Sequence, residues 1–203
     1  MKQNYNILIT GVGGQGLVTL VDVLTKAILA DGKDVKSSEL HGLSQRGGAV
    51  AVYVSMSIHT NPERSRRVYS PLFKKGDADL VLGLDLLEGL RACDFANKET
   101  KLIINDYLLP FIGVMPKEEI EKKLQEIGKN NLYFIEASKI CKEKMQREIL
   151  ATMYLLATMY LLGYAVFNKH LDIKPESVIS AINKAIPEKY RKMNLQAFEL
   201  ARS

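Results

Sequence analysis

The sequence predicts an α/β protein with an open, mostly parallel, Rossmann-like sheet, flanking helices and a helical C-terminal region. Short apolar runs rich in β-branched residues alternate with segments whose apolar residues recur every three or four positions. The first run, residues 5–10, leads into a glycine-rich turn and then into a helical pattern. This order is typical of a parallel sheet that binds phosphate at a helix N-terminus. From residue 139 onward the pattern is helical.

The predicted strands are short apolar runs bounded by turn residues. We expect the second strand to run parallel to the first after an intervening helix, which gives a right-handed βαβ unit. The third strand follows the second without a helix between them, and this order departs from a simple dinucleotide-binding fold. The six predicted strands are residues 5–10, 34–38, 49–55, 79–83, 101–105 and 132–136.

The predicted helices follow the 3.6-residue period. Gly32 is expected to end the first helix, and Pro116 and Gly128 bound the third. The last helix carries apolar residues among charges, so it needs a partner surface within this chain or across a subunit boundary. The predicted helical regions are residues 15–30, 84–93, 116–127, 139–167, 175–185 and 188–202.

Residues 149–167 form an uncharged stretch of nineteen residues, which is long enough to cross a bilayer. Three tyrosines, two threonines and a glycine dilute it, so we expect a buried helix instead. The stretch contains an exact repeat of six residues, 151–156 and 157–162. A shift of six residues turns a helix by about 600°, so the repeated tyrosines point to different faces. Such a helix is apolar all round and needs several neighbours or an oligomer interface.

The composition fits a single α/β domain spanning residues 1–203, with a sheet core to about residue 138 and a helical part over about 139–203. The net charge of +5 is spread along the chain, which does not favour nucleic-acid binding. The densest basic cluster, Arg64, Arg66 and Arg67, is interpreted as a solvated loop or a docking surface for an acidic partner.

The chain contains only two cysteines, Cys93 and Cys141, and they are far apart in sequence. Neither an iron–sulfur cluster nor a structural zinc site can be built from this chain alone, and no metal site is expected. No signal peptide precedes Tyr5, so we expect a cytoplasmic protein with reduced thiols and no membrane association.

The glycine-rich turn is the first candidate site. Gly11 is expected to allow a sharp turn, and Gly13 and Gly14 let backbone amides approach a ligand. Gly16 is expected to let the following helix pack close to the strand, and Gln15 lies among these glycines. The predicted ligand is an anion, most simply a phosphate. The alternative is a tight strand-to-helix turn that binds nothing.

A second candidate loop follows the second strand, where open α/β sheets bind ligands. It carries Ser44, Gln45, Arg46 and Gly47, which are too polar and too flexible for a simple connection. Arg46 can clamp a phosphate or carboxylate with two hydrogen bonds, and His41 is a candidate catalytic group because a histidine side chain can donate or accept a proton near neutral pH. The alternative is that Arg46 pairs with a nearby glutamate and that His41 packs on the sheet edge.

Asn105 and Asp106 follow the fifth predicted strand and fall on the same edge of the sheet. They are interpreted either as ligand contacts or as turn-capping residues. The sequence does not decide between these two roles.

Two segments, 9–16 and 39–48, closely resemble the paired signatures of the gamma-type subunits of 2-oxoacid:ferredoxin oxidoreductases. Residues 70–72, 76–83 and 88–91 also resemble that family, and especially its indolepyruvate:ferredoxin oxidoreductase beta subunits. The likeness spans most of residues 5–200. The resemblance implies a subunit of a hetero-oligomeric oxidoreductase that converts 2-oxoacids to acyl-coenzyme A and reduces ferredoxin, with no activity on its own.

The resemblance further implies that thiamine diphosphate and the iron–sulfur clusters are carried by a partner catalytic subunit. Coenzyme A is the candidate ligand of this chain. The candidate binding residues come from the two loops, and the 151–162 repeat departs from the pattern expected of the family. These residues are Gly11, Gly13, Gly14, Gln15, Gly16, Ser44, Gln45, Arg46 and Gly47.

Two other functions fit the glycine turn. A free-standing NAD- or flavin-dependent oxidoreductase requires an acidic residue about twenty positions beyond the turn, and Glu39 can fill that role. A stand-alone regulatory binder of a phosphorylated metabolite is the third hypothesis. A hydrolase is not favoured because no nucleophile–base pair is apparent. The sequence leaves open which 2-oxoacid is used and which oligomer forms.

Overall fold

The computed structural model describes residues 2–42, 47–58, 67–145 and 150–202. These residues form one six-stranded sheet in the order β2-β3-β1-β4-β5-β6. The strands are β1 (Asn4–Val12), β2 (Val35–His41), β3 (Ala49–Ser57), β4 (Leu80–Gly83), β5 (Lys101–Asn105) and β6 (Leu132–Ile135). The helices are α1 (Leu17–Ala30), α2 (Leu86–Ala92), α3 (Lys117–Gly128), α4 (Ala137–Met145), α5 (Leu150–Phe167), α6 (Pro175–Ala185) and α7 (Glu188–Leu200).

The sheet is mostly parallel, as predicted. The strands β1, β4, β5 and β6 form consecutive parallel pairs, whereas β3 runs antiparallel to both of its neighbours. The strand β2 therefore points in the same direction as β1, but β3 lies between them. The sequence did not predict this insertion. Nine consecutive residues of β3 pair with the whole length of β1.

Two apolar cores cover the two faces of the sheet. On one face, Ile7 and Ile9 of β1 pack with α1 and the C-terminal helices α5, α6 and α7. On the other face, Leu8 packs with α2 and α3. The alternation of β1 side chains between the two cores is the two-residue period of a strand buried on both faces.

Helix α5 lies at the centre of the larger core, which confirms the prediction of a buried helix. Leu156, Met159, Leu161 and Leu162 have no exposed surface. In the part of the chain described here, no helix reaches the length and hydropathy needed to cross a membrane. The two repeated tyrosines differ in environment as predicted, since Tyr160 is buried and the equivalent tyrosine of the first copy is half-buried.

Helix α7 finds its partner surface within the chain, on α5. A Cβ atom added at Gly163 of α5 would lie 2.4 Å from the carbonyl oxygen of Phe198, so only glycine allows the two helices to approach this closely. The rings of Phe167 and Phe198 meet nearby, with centroids 4.9 Å apart. This contact fixes the C-terminal helix against the centre of the larger core.

Candidate functional site

The candidate site lies at the edge of the sheet where the parallel strands end. The glycine turn follows β1 at this edge, and the connection between β2 and β3 reaches it as well, because β2 runs parallel to β1. Gly13 N donates a hydrogen bond to Gly48 O at 2.9 Å. The two loops singled out in the sequence are therefore directly joined, at the edge where α/β sheets bind ligands.

The sharp turn is made by Gly14 and Gly16, with φ values of 104° and 84°, and not by Gly11 as expected. Gly11 is still within β1, paired with Val50. Its lack of a side chain serves packing, since an added Cβ would lie 2.6 Å from Gln15 Oε1. The expectation for Gly11 was wrong because the strand continues two residues further than the sequence indicated, to Val12.

The side chain of Gln15 is folded into the turn. Its Oε1 accepts a hydrogen bond from Val12 N at 2.8 Å, and Gln15 N donates to Val12 O at 3.1 Å. Only 3% of the residue is exposed. In this conformation Gln15 shapes the turn from inside, and its contact with a ligand stays a prediction.

Backbone amides at the start of α1 are the candidate anion-binding groups of the turn. The first hydrogen bond of the helix joins Leu20 N to Gly16 O, so the amides of residues 17–19 have no partner within the helix. The positive end of the helix dipole reinforces them. Gly13 is different, because its amide is already donated to Gly48.

Gly16 faces helix α5, which corrects the expectation that it lets α1 pack against the strand. An added Cβ would lie 3.1 Å from Leu155 Cδ1 and 3.5 Å from Leu155 Cα. The turn therefore rests on the C-terminal helical part of the chain as well as on the sheet.

The second loop is described only at its two ends. Gly42 N donates to Ala49 O at 3.0 Å, and Gly47 is exposed with a φ of 69°. Ser44, Gln45 and Arg46 lie outside the described residues. Their predicted contacts with a ligand stay predictions, although the position of the loop beside the glycine turn is now established.

His41 and Glu39 form an exposed pair on the edge strand β2, with His41 Nε2 3.0 Å from Glu39 Oε2. The carboxylate can orient the imidazole. The strand order weighs against the dinucleotide hypothesis. Because β3 separates β2 from β1, Glu39 is two strand spacings, about 10 Å, from the strand that carries the glycine turn.

Asp85 is a buried residue of this edge that the sequence reasoning missed. It caps α2, where its Oδ1 accepts from Leu87 N at 2.9 Å and Glu88 N at 3.3 Å, and its Oδ2 accepts from Leu109 N at 2.7 Å. Burial raises the pKa of the Asp85 carboxyl even though these amides favour the charged form. The available signal was an aspartate at the start of a predicted helical region, where aspartate commonly serves as an N-cap.

Asn105 serves as a turn cap, the second of the two roles considered for it. Its amide nitrogen donates to Leu84 O at 3.2 Å and to Ser138 Oγ at 2.9 Å. Asp106 forms an ion pair with Lys117, with the two atoms 2.6 Å apart, and this contact raises the pKa of Lys117. Both side chains are thus held by protein groups.

Tyr107 and Tyr154 form a second contact that the sequence did not indicate. Their hydroxyl oxygens are 2.7 Å apart, and their rings meet edge to face. Burial and the neighbouring hydroxyl raise the pKa of Tyr107, so it is neutral at physiological pH. Tyr154 belongs to the first copy of the repeat, so α5 reaches the candidate site through that copy.

The two cysteines are poor ligands for metal. Burial is the main cause that raises the pKa of Cys93 to about 11 and that of Cys141 to about 12, so both are protonated thiols. Within the described ranges, no group of three histidine, cysteine, aspartate or glutamate residues could hold a metal ion.

The sheet, the glycine turn at a helix N-terminus and the adjoining loop define a Rossmann-like subunit that is suited to bind an anionic ligand. The family model of pyruvate ferredoxin/flavodoxin oxidoreductase matches residues 6–203. The chain therefore belongs to this oxidoreductase family.

Curated relatives match over nearly the full length of the chain. Indolepyruvate oxidoreductase subunit IorB of Methanothermobacter thermautotrophicus is 29% identical over 202 residues, covering 96% of this chain and 94% of the relative. IorB of Archaeoglobus fulgidus is 31% identical over 201 residues, covering 96% and 92%. Pyruvate synthase subunit PorC of Methanothermobacter marburgensis is 28% identical over 193 residues, covering 94% and 92%. All three relatives are named as subunits.

Solved structures share the fold at lower identity. Pyruvate oxidoreductase subunit PORC of Thermotoga maritima matches with a TM-score of 0.69 and 19% identity, covering 99% of this chain and 96% of that one. The 2-oxoglutarate:ferredoxin oxidoreductase of Magnetococcus marinus matches with a TM-score of 0.70 and 18% identity. It was solved with 2-oxoglutarate, coenzyme A and succinyl-CoA bound, and the match covers all of this chain but 31% of that one.

Proposed function

We propose that this chain is the small, cluster-free subunit of a heteromeric 2-oxoacid:ferredoxin oxidoreductase that acts on indolepyruvate. The full-length similarity to IorB subunits supports this assignment. The structural observation that supports it most directly is the hydrogen bond between Gly13 and Gly48, since it brings the two family motifs together at one binding edge.

In the proposed reaction, a 2-oxoacid, coenzyme A and two oxidised ferredoxins give acyl-coenzyme A, carbon dioxide, two reduced ferredoxins and a proton. The bond between the keto carbon and the carboxylate breaks, and the acyl carbon forms a thioester with the coenzyme A sulfur. Thiamine diphosphate and iron–sulfur clusters supply the carbanion and electron-transfer chemistry. Both are assigned to the partner, because the two thiols of this chain, the half-buried Cys93 and the buried Cys141, are too few to hold a cluster.

This chain's part in the reaction is to hold coenzyme A. The pyrophosphate suits the amides of residues 17–19 at the N-terminus of α1, where an added Cβ at Gly14 would meet only open space. Arg46 of the adjoining loop can add a bidentate contact to a phosphate. The remaining candidate contacts are Gly11, Gly13, Gln15, Gly16, Ser44, Gln45 and Gly47.

In this proposal the chain acts as one domain of a cytoplasmic hetero-oligomer. Its sheet core, to about residue 138, presents the binding edge. The helical part, about 139–203, supports that edge through the contact of Leu155 with Gly16. Ferredoxin interacts with this chain only through the assembled complex.

The test is affinity purification of the tagged chain from its native cell, followed by identification of the co-purifying chains. The purified complex is then assayed for reduction of a viologen dye with indolepyruvate, pyruvate or 2-oxoglutarate, each with and without coenzyme A. We expect a cysteine-rich, thiamine-binding partner and dye reduction that is fastest with indolepyruvate. A chain that purifies alone and binds NAD or flavin would overturn the proposal, whereas a preference for another 2-oxoacid would overturn only the substrate.

A further inference from the structure

A short apolar turn projects from the candidate edge, between β5 and α3. Val114 N donates to Phe111 O at 3.2 Å, and Gly113 has a φ of 82°, as in a type II β-turn. Ile112 occupies the corner of this turn and is fully exposed, at 102% relative exposure. Phe111 is 52% exposed. Turn corners usually carry proline or polar residues, so two adjacent large apolar side chains here are unusual.

The apolar turn, residues 111–114, is held rigidly at its base. Leu109 N is bound by the buried Asp85 carboxylate, and Tyr107 O accepts from Leu86 N at 2.8 Å. Leu108, Val114 and Met115 pack against the smaller core, while the two residues at the tip do not. Phe111 and Ile112 are therefore exposed, while residues on both sides of them pack against the protein.

The position of the apolar turn in the fold indicates which protein chain it contacts. It follows β5, and β5, β4 and β1 are consecutive parallel strands, so the apolar turn and the glycine turn lie at the same edge of the sheet. If coenzyme A lies on the glycine turn, its thiol must reach an acyl group held by another chain. That chain must then approach this same edge. In the Magnetococcus marinus enzyme, the matching fold is about a third of one longer chain.

We propose that Phe111 and Ile112 are an apolar anchor that docks the thiamine-bearing catalytic subunit beside the coenzyme A site. This inference rests on the proposed function. The partner is expected to offer an apolar pocket for the two side chains, surrounded by polar contacts, as at other energetic centres of interfaces.

The experiment compares the wild-type chain with the double variant Phe111→Ser/Ile112→Ser in binding to the purified partner chain. The matched control is Leu72→Ser, since Leu72 is 55% exposed in the connection between β3 and β4, at the opposite edge of the sheet. We expect the double variant to weaken binding by about 30-fold and the control to leave it unchanged. Thermal unfolding should change little, because both side chains are largely exposed and neither packs against a core.

Equal binding of the double variant and the wild type would overturn the docking role, and so would equal weakening by the Leu72 control. A wild-type chain that dimerises through this turn, with the double variant monomeric by light scattering, would assign the turn to a second copy and also overturn it. A wild-type chain that binds no thiamine-bearing partner would instead contradict the proposed function itself. The single variant Ile112→Val, with Phe111 unchanged, should retain binding, because valine preserves the apolar contact.

Discussion

The residues that decide the geometry of the binding edge are glycines in left-handed conformations. Gly14 and Gly16 both have positive φ values, but their surroundings differ. Gly14 faces open space, whereas Gly16 faces Leu155 of α5. The position of each glycine therefore distinguishes the one that is open to a ligand, Gly14, from the one that supports the turn, Gly16.

Gly16→Ala should destabilise the protein more than Gly32→Ala. Both glycines have positive φ values, 84° and 74°, so both substitutions carry a left-handed strain of about 1 kcal/mol. Only the Cβ at position 16 meets a neighbour, Leu155 Cδ1 at 3.1 Å, which adds about another 1 kcal/mol. Urea denaturation of both variants measures the difference. Equal losses would contradict the contact with α5.

Asp85 should make stability depend on pH in an unusual direction. Burial raises its pKa in the folded protein above the unfolded value of about 3.9. The folded state therefore binds the proton more tightly, so this group's contribution to stability is present below pH 3.9 and is lost as pH rises through the folded pKa.

Replacing the residue tests this direction. In Asp85→Asn, the difference in free energy of unfolding from the wild type should change across that pH range, because the substituted side chain does not titrate. At neutral pH the variant is expected to lose about 1–3 kcal/mol, since an amide group cannot accept all three backbone hydrogen bonds. Denaturation series between pH 3.5 and pH 7 provide both values. A pH-independent difference would contradict the raised pKa.

At the scale of elements, the sequence predicted most helices and strands, but it did not predict which strands lie next to each other in the sheet. The bounds of β5 and α6 agree with the prediction, because their limits are set locally by polar residues, Pro175 and the 3.6-residue period. The insertion of β3 between β1 and β2 could not be predicted in the same way. Strand pairing is a tertiary property, and the local pattern of β3 fits either neighbour.

The close contact between α5 and α7 at Gly163 can be tested by substitution. Gly163→Ala places a Cβ 2.4 Å from the Phe198 carbonyl oxygen and 2.9 Å from Ala201 Cβ, so the helices must separate. We expect a loss of about 3 kcal/mol in the free energy of unfolding, with the sheet retained. Urea denaturation followed by circular dichroism measures this loss. A variant as stable as the wild type would mean that the two helices are further apart in solution.

At the scale of the whole molecule, the sequence predicted that two distant motifs meet at one edge of the sheet. The Gly13–Gly48 hydrogen bond confirms this meeting. The sequence could not predict which amides stay available to a ligand, because the use of Gly13 and the inward turn of Gln15 depend on tertiary contacts. The burial of Asp85 was missed for the same reason.

The most direct test of coenzyme A binding at the joined loops is the KM for coenzyme A of the assembled complex carrying Gly14→Asp. Gly14→Ala is the matched control, since both variants add a Cβ at the same positive φ and only the first adds a negative charge beside the helix N-terminus. We predict that Gly14→Asp raises the KM for coenzyme A at least about 10-fold relative to Gly14→Ala, with the KM for the 2-oxoacid unchanged. Equal KM values for coenzyme A in the two variants would contradict phosphate binding at this turn.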